Sequence, residues 1–102
     1  GNELISFQII SAVGTARSMY VEAIQEAKKG NIQAAKQLIE DGVKVFVDGH
    51  HAHASLIQKE AAGEKSEFSL LLMHAEDQLM TTETLKIVAE EFIELYSDKY
   101  HQ

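Results

Sequence analysis

Apolar residues return every three or four positions along most of this chain, and each return marks a helix that buries one face. In the first third the stripe runs Ile9, Val13, Ala16, Tyr20, Ala23 and Ala27. In the middle third Ala35, Ile39, Gly42, Phe46, Gly49, His53 and Leu56 keep a strict alternation of four and three. The small residues Ala35, Gly42 and Gly49 would let a neighbouring helix come close. Two stretches break the pattern, Gly30-Asn31 and "AGEKSE" at 62–67. In each, a glycine can end one helix in the left-handed conformation and a polar residue can cap the next: Gly30 with Asn31, Gly63 with Ser66. Lys28 and Lys29 suit the negative end of the helix that they close. Asp41-Gly42 and Asp48-Gly49 resemble turn dipeptides but fall inside the helical period. The pattern therefore predicts three helices, over about residues 3–29, 31–62 and 67–99. Short connections make neighbouring helices antiparallel. The expected fold is all-α, an antiparallel three-helix hairpin or bundle forming one domain over residues 1–102.

The third helix carries two stripes. Phe68, Leu72, Ala75, Leu79, Leu85, Ala89, Phe92 and Tyr96 can face the first two helices. A second line, Leu70, Met73, Asp77, Met80, Thr84 and Ile87, repeats at the same spacing. One seam suffices for a three-helix protomer. A second fits either a broad face wrapped into one core or copies of this helix packed on one another. In the second case identical Asp77 carboxylates face each other. At about 5 Å and an effective dielectric near 20 such a pair repels by roughly 3 kcal/mol. The cluster then needs a bound cation or shared protons.

Composition changes this picture by exclusion. The chain has 102 residues and a formal charge of −7, with nine Lys and Arg against 16 Asp and Glu. No basic cluster is present, so nucleic acid is a poor partner, and a partner with a basic surface is favoured. Cysteine is absent, which rules out disulfides and Cys-based metal sites and fits a reducing cytoplasm. No apolar run approaches the ~20 residues of a membrane span, and no signal peptide is visible. Direct membrane insertion is not expected.

The candidate chemistry lies in "LLLMHAEDQLM" (Leu70–Met80), where polar groups interrupt the most apolar stretch. His74 flanks the second stripe, with Asp77 and Gln78 three and four residues on and so on the same side. Neutral imidazole is a good nucleophile near pH 7, and attack on phosphorus asks mainly for positioning and donors. A histidine that merely packs at a seam is the commoner case. "HHAH" puts His50, His51 and His53 close together, and His50 with His53 shares a helix face. Two ligands do not make a zinc site, and no carboxylate is placed to complete one. Arg17 is either a structural ion-pair donor or a phosphate clamp, the former being commoner. No phosphate loop, nucleophile elbow or Ser-His-Asp set is readable.

These residues carry a resemblance that covers nearly the whole chain. "GTARS" (Gly14–Ser18) resembles the G-x-A-R-S of the lactose/cellobiose-type IIA components of the sugar phosphotransferase system. "AKKGNIQAAK" (Ala27–Lys36) resembles that family's A-x-x-G-[DN]-x-x-x-A turn, and "EAAGE" (Glu60–Glu64) its second turn. "SLLLMHAEDQLMTT" (Ser69–Thr82) is similar to its H-x-Q-D-H-L-M-T segment. The resemblance implies a cytoplasmic homotrimer with third helices around the axis. It implies that His74 accepts a phosphoryl group from the phosphohistidine carrier protein and passes it to a cysteine of the cognate IIB. It implies that Asp77 binds a divalent cation at the trimer axis, with Mg2+ the expected ion. Three positions depart from the pattern: Glu76 and His53 stand where relatives have glutamine, and Gln78 where they have histidine. Glu76 would repel a phosphoryl group unless protonated or turned away. His53 is expected to compensate it, and Glu76, Gln78 and His53 are the candidates for supporting the phosphoryl site. The alternative from another class is a helical trimer that lost transfer and serves as an interaction or regulatory protein. A metal-dependent sensor built on His50, His53 and Asp77 ranks third.

Overall fold

The computed structural model describes residues 2–65 and 67–100. It contains three helices, α1 (Glu3–Lys28), α2 (Ile32–Ala61) and α3 (Leu70–Tyr100), packed into a slender body of 56 × 20 × 19 Å. Each connection reverses the chain, so α1 and α3 run parallel, with α2 antiparallel to both.

The α1 and α2 stripes pack as the spacing predicts. Ile9, Val13, Ala16, Tyr20, Ala23 and Ala27 are all buried, as are Ala35, Ile39, Gly42, Gly49 and Leu56, while Phe46 and His53 are half-buried. The core falls into two clusters along the rod. Ile9, Val13 and Leu56 gather with Ala75 and Leu79 at one end. Ala16, Tyr20, Ala27, Ile39, Ala89 and Ile93 gather at the other. Phe46 touches both. The small residues of α2 have a specific task. A Cβ on Gly42 would stand 2.6 Å from Cε1 of Tyr20, and one on Gly49 3.0 Å from Cγ2 of Val13. Tyr20 is 1% exposed, and burial, with Glu90 and Glu83 adding, pushes its phenol above the ordinary range.

Both α1 and α2 end in the same way. Gly30 at φ 88° and Gly63 at φ 89° take the left-handed conformation. The Asn31 N–H donates to Glu26 O and the Gly30 N–H to Ala27 O, each at 3.0 Å. The Glu64 N–H to Lys59 O and the Gly63 N–H to Glu60 O repeat this, again at 3.0 Å. These paired bonds satisfy the last carbonyls of each helix. The Tyr100 hydroxyl, from the last turn of α3, donates to Lys28 O at 2.8 Å, and its ring lies over Gly30.

Four expectations need correction. Asn31 does not cap α2 with its side chain; its amide donates to Glu26 Oε2 at 2.7 Å, because the tight Gly30 turn brings that carboxylate within reach. Helix α3 starts at Leu70, later than expected, and Ser69 Oγ caps it by accepting from the Leu72 N–H at 3.1 Å. The expected cap Ser66 lies outside the described residues. Phe68 therefore precedes the helix and is 88% exposed, away from the helices it was expected to face. The buried face of α3 is Ala75, Leu79, Thr82, Ala89 and Ile93, so Ile93 takes the place expected of Phe92.

Gly42 gives a direct test of the α1–α2 contact. Gly42→Ala gains about 1 kcal/mol of helix propensity but meets the unyielding Tyr20 ring, and overpacking costs about 1–3 kcal/mol. We expect a lower urea midpoint for Gly42→Ala. Gly14→Ala, where nothing lies within 4 Å of the new methyl, should raise it.

Candidate functional site

Helix α3 shows its second stripe to solvent. Leu70 is 82% exposed, Met80 64%, Ile87 61% and Met73 52%, and Asp77 is exposed among them. So long an uncovered apolar line on a small protein marks a surface made for contact. His74 is exposed in the second turn of α3, at the border of this line, and makes no side-chain hydrogen bond among the described residues.

Helix geometry sorts the polar groups into two flanks. With about 100° between successive residues, His74 lies about 60° to one side of Asp77, and Gln78 about 100° to that same side. Glu76 lies about 100° to the other side. The family resemblance implies that position 76 stands near the phosphoryl group. In its own chain it is turned away from His74, as residues two apart on a helix must be.

Each flank is tied to a different helix. On the Glu76 side, Nε2 of His53 and Oε1 of Glu76 are 3.0 Å apart, with the ring nitrogen donating because a carboxylate only accepts. This is the coupling expected of the two departures from the family pattern, and it joins α2 to α3. The adjoining depression of about 420 Å³ is walled by Glu60, Glu64, Glu67 and Glu76, with Lys65 the one cation among its described lining residues, so it does not suit a phosphoryl anion. On the His74 side, Nη1 of Arg17 donates to Oε1 of Gln78 at 3.3 Å, which joins α1 to α3. Arg17 makes no ion pair with a carboxylate among the described residues. The commoner role expected for it, a structural ion-pair donor, is not what the fold uses.

The remaining histidines do not converge. His50 and His51 are exposed, their ring centroids 6.5 Å apart. No group of three or more potential metal ligands occurs among the described residues. Asp77 stands alone in one protomer, so a cation there would need carboxylates from other copies. Oxygen donors of this kind suit a hard divalent ion. Among the described residues no helix is long and apolar enough to cross a membrane.

This arrangement has close counterparts. The family described as "PTS system, Lactose/Cellobiose specific IIA subunit" matches residues 4–97. The lichenan-specific phosphotransferase enzyme IIA component of Bacillus subtilis is 46% identical over 94 residues, covering 92% of this chain and 86% of the relative. The lactose-specific EIIA component of the phosphotransferase system of Staphylococcus aureus is 38% identical over 94 residues, covering 92% and 91%. Among solved structures, the cellobiose-specific enzyme IIA of Bacillus anthracis superposes with a TM-score of 0.94 at 42% identity, covering 97% of this chain and 91% of that one. The chain belongs to the lactose/cellobiose-specific IIA family of the sugar phosphotransferase system. It is thus a phosphotransferase subunit in sugar phosphotransfer, and components of this kind work with the phosphocarrier protein and a IIB component.

The His53–Glu76 pair can be measured in isolation. The Glu76 side chain is 42% exposed, so solvent screens the contact and its worth is at most about 1 kcal/mol. A double-mutant cycle with His53→Ala and Glu76→Gln, followed by urea unfolding, should give a favourable coupling of that size or smaller.

Proposed function

We propose that this protein is a phosphocarrier whose acceptor is His74. It takes a phosphoryl group from the phosphohistidine carrier protein and passes it to a cysteine of the cognate IIB during uptake of a lactose/cellobiose-type sugar. The observation that carries this reading is the placement of His74: exposed, without a side-chain hydrogen bond among the described residues, and at the edge of an uncovered apolar stripe. A docking protein can close over such a rim and keep water from the transfer.

The chemistry asks little of the chain beyond position. A ring nitrogen of neutral His74 attacks phosphorus; its bond to phosphorus forms as the carrier's N–P bond breaks. The proton that His74 sheds from its other nitrogen is balanced by the one that the carrier's ring regains. In the second transfer the cysteine thiolate attacks, an S–P bond replaces the N–P bond, and His74 takes a proton back.

Self-association completes the site in this reading. Three copies packed through the Leu70–Met73–Met80–Ile87 stripe bring three Asp77 carboxylates to the axis. A divalent cation, Mg2+ by the family resemblance, would be held by these carboxylates and would supply the charge to offset their repulsion. Around a cyclic axis the His74 flank of one α3 meets the Glu76 flank of the next. Glu76 then approaches the neighbouring acceptor with His53 already bonded to it. This pairing weakens the case for a non-catalytic trimer, whose ground was an uncompensated carboxylate at 76. The family resemblance places this work in the cytoplasm, and a sequence without cysteine agrees with a reducing compartment.

Intact-mass spectrometry after incubation with phosphoenolpyruvate, the first phosphotransferase enzyme and the histidine carrier tests this reading. We expect one acid-labile phosphoryl group per chain, absent in His74→Ala; an unlabelled wild-type chain beside a labelled control IIA would refute it. Asp77→Leu should tighten the trimer, because packing often improves on buried charge. Sedimentation equilibrium reads this, and dissociation on that change would refute the axial placement of Asp77.

A further inference from the structure

Arg17 is the only arginine in a chain of net charge −7 with 16 acidic residues. It nevertheless has no carboxylate partner among the described residues. Its one hydrogen bond goes to a neutral amide, at the long distance of 3.3 Å. A guanidinium has five N–H donors in a planar fork. Most of that fork is thus uncommitted, and its charge is uncompensated. The amide that holds it belongs to Gln78, one helical turn after His74, where Cβ atoms are about 5–6 Å apart.

Gly14 adds an independent observation on the same side of α1 as Arg17. Helices α1 and α3 run parallel, and Gly14 precedes Arg17 by about one turn, as His74 precedes Gln78. Gly42 and Gly49 are glycines because Tyr20 and Val13 fill the space that a side chain would take. Gly14 has no such reason, for nothing lies within 4 Å of its would-be Cβ. A glycine inside a helix weakens it, so this one keeps open a gap that packing does not require. Gly14 and Arg17, three residues apart, lie within about 60° of each other around α1, so the open space and the guanidinium share one side of that helix.

We propose that Arg17, steered by Gln78, binds the oxygens of the phosphoryl group carried by His74, and that Gly14 keeps clear the space in which they meet. The proposal rests on His74 being the acceptor. The arriving group brings about two negative charges to an acidic surface beside Asp77. A planar guanidinium can take two phosphoryl oxygens at once, which lysine cannot. The neutral amide has its own part. Its carbonyl orients Arg17 without cancelling its charge, and its NH2 remains as a further donor to phosphoryl oxygen. A glutamate at 78 would hold Arg17 more firmly and spoil it for phosphate.

The test follows phosphorylation of the full chain by the relay proteins, with rate against carrier concentration and thermal midpoint recorded for each variant. Wild type should gain one phosphoryl group; if it gains none, the acceptor reading itself fails, and the proposal with it. Arg17→Gln should lower kcat on the order of ten- to a hundredfold, with little change in KM for the carrier. Arg17→Lys should recover part of the loss. Gln78→Glu should also slow transfer while leaving the thermal midpoint equal or higher. Gly14→Leu should slow transfer while raising the thermal midpoint. Wild-type kcat in Arg17→Gln, or a loss confined to KM, would overturn the proposal by making Arg17 a docking contact. Undiminished transfer in both Gln78→Glu and Gly14→Leu would overturn it as well, even if Arg17→Gln fails to fold.

Discussion

The α1–α2 hairpin covers only part of the circumference of α3 and leaves the Leu70, Met73, Met80 and Ile87 line bare. Tyr20 over Gly42 and Val13 over Gly49 draw α1 and α2 together, which makes the hairpin narrow. A narrow hairpin offers α3 a groove for Ala75, Leu79, Thr82, Ala89 and Ile93 and nothing for the opposite face. The large apolar side chains Leu70, Met73, Met80 and Ile87 stand on that opposite face, with Asp77 among them. Leaving them in water forgoes roughly 25 cal/mol for each Å² that could be buried. The same economy of girth that makes a stable protomer thus creates the demand for a second surface, and the chemical groups of α3 are ranged along its border.

The two flanks of α3 serve different ends. One side meets α2 through the bond between His53 and Glu76. The other side meets α1 through Arg17 and Gln78. Charge is compensated on the first flank and uncompensated on the second. An incoming anion therefore meets a paired carboxylate on one side and an open guanidinium on the other, with His74 on the open side.

The stripes of α1 and α2 could be read from the sequence because each helix buries one face and keeps the other polar, so periodicity and burial coincide. The same reasoning misjudged parts of α3. That helix is apolar on two faces, and the eye follows size: Phe68 and Phe92 were assigned inward, whereas Thr82 and Ile93 are the buried residues. Thr82 does not stand out in the sequence because a hydroxyl reads as polar, yet it is fully buried and its Oγ1 has no hydrogen-bond partner among the described residues. The helix starts at Leu70 and not at 67, a difference that spacing cannot show because two serines three residues apart, Ser66 and Ser69, both suit a cap. His74, Glu76, Asp77 and Gln78 were legible as a group, since they interrupt an apolar run. That Glu76 turns to His53 was foreseen from the paired departures. The lone tether of Arg17 was not, since spacing cannot show whether a guanidinium finds a carboxylate.

The bond from the Tyr100 hydroxyl to Lys28 O lies at the opposite end of α3 from His74, yet it bears on how His74 is presented. A helix can slide or screw along a groove of similar apolar side chains at small cost, and α3 has such side chains on two faces. A screw of one residue would turn every side chain by about 100° and carry Asp77 off the seam. The terminal tyrosine works like an indexing pin on a shaft. It fixes the angular setting of α3 against the α1–α2 turn, about 39 Å along the helix from the residue whose bearing it determines.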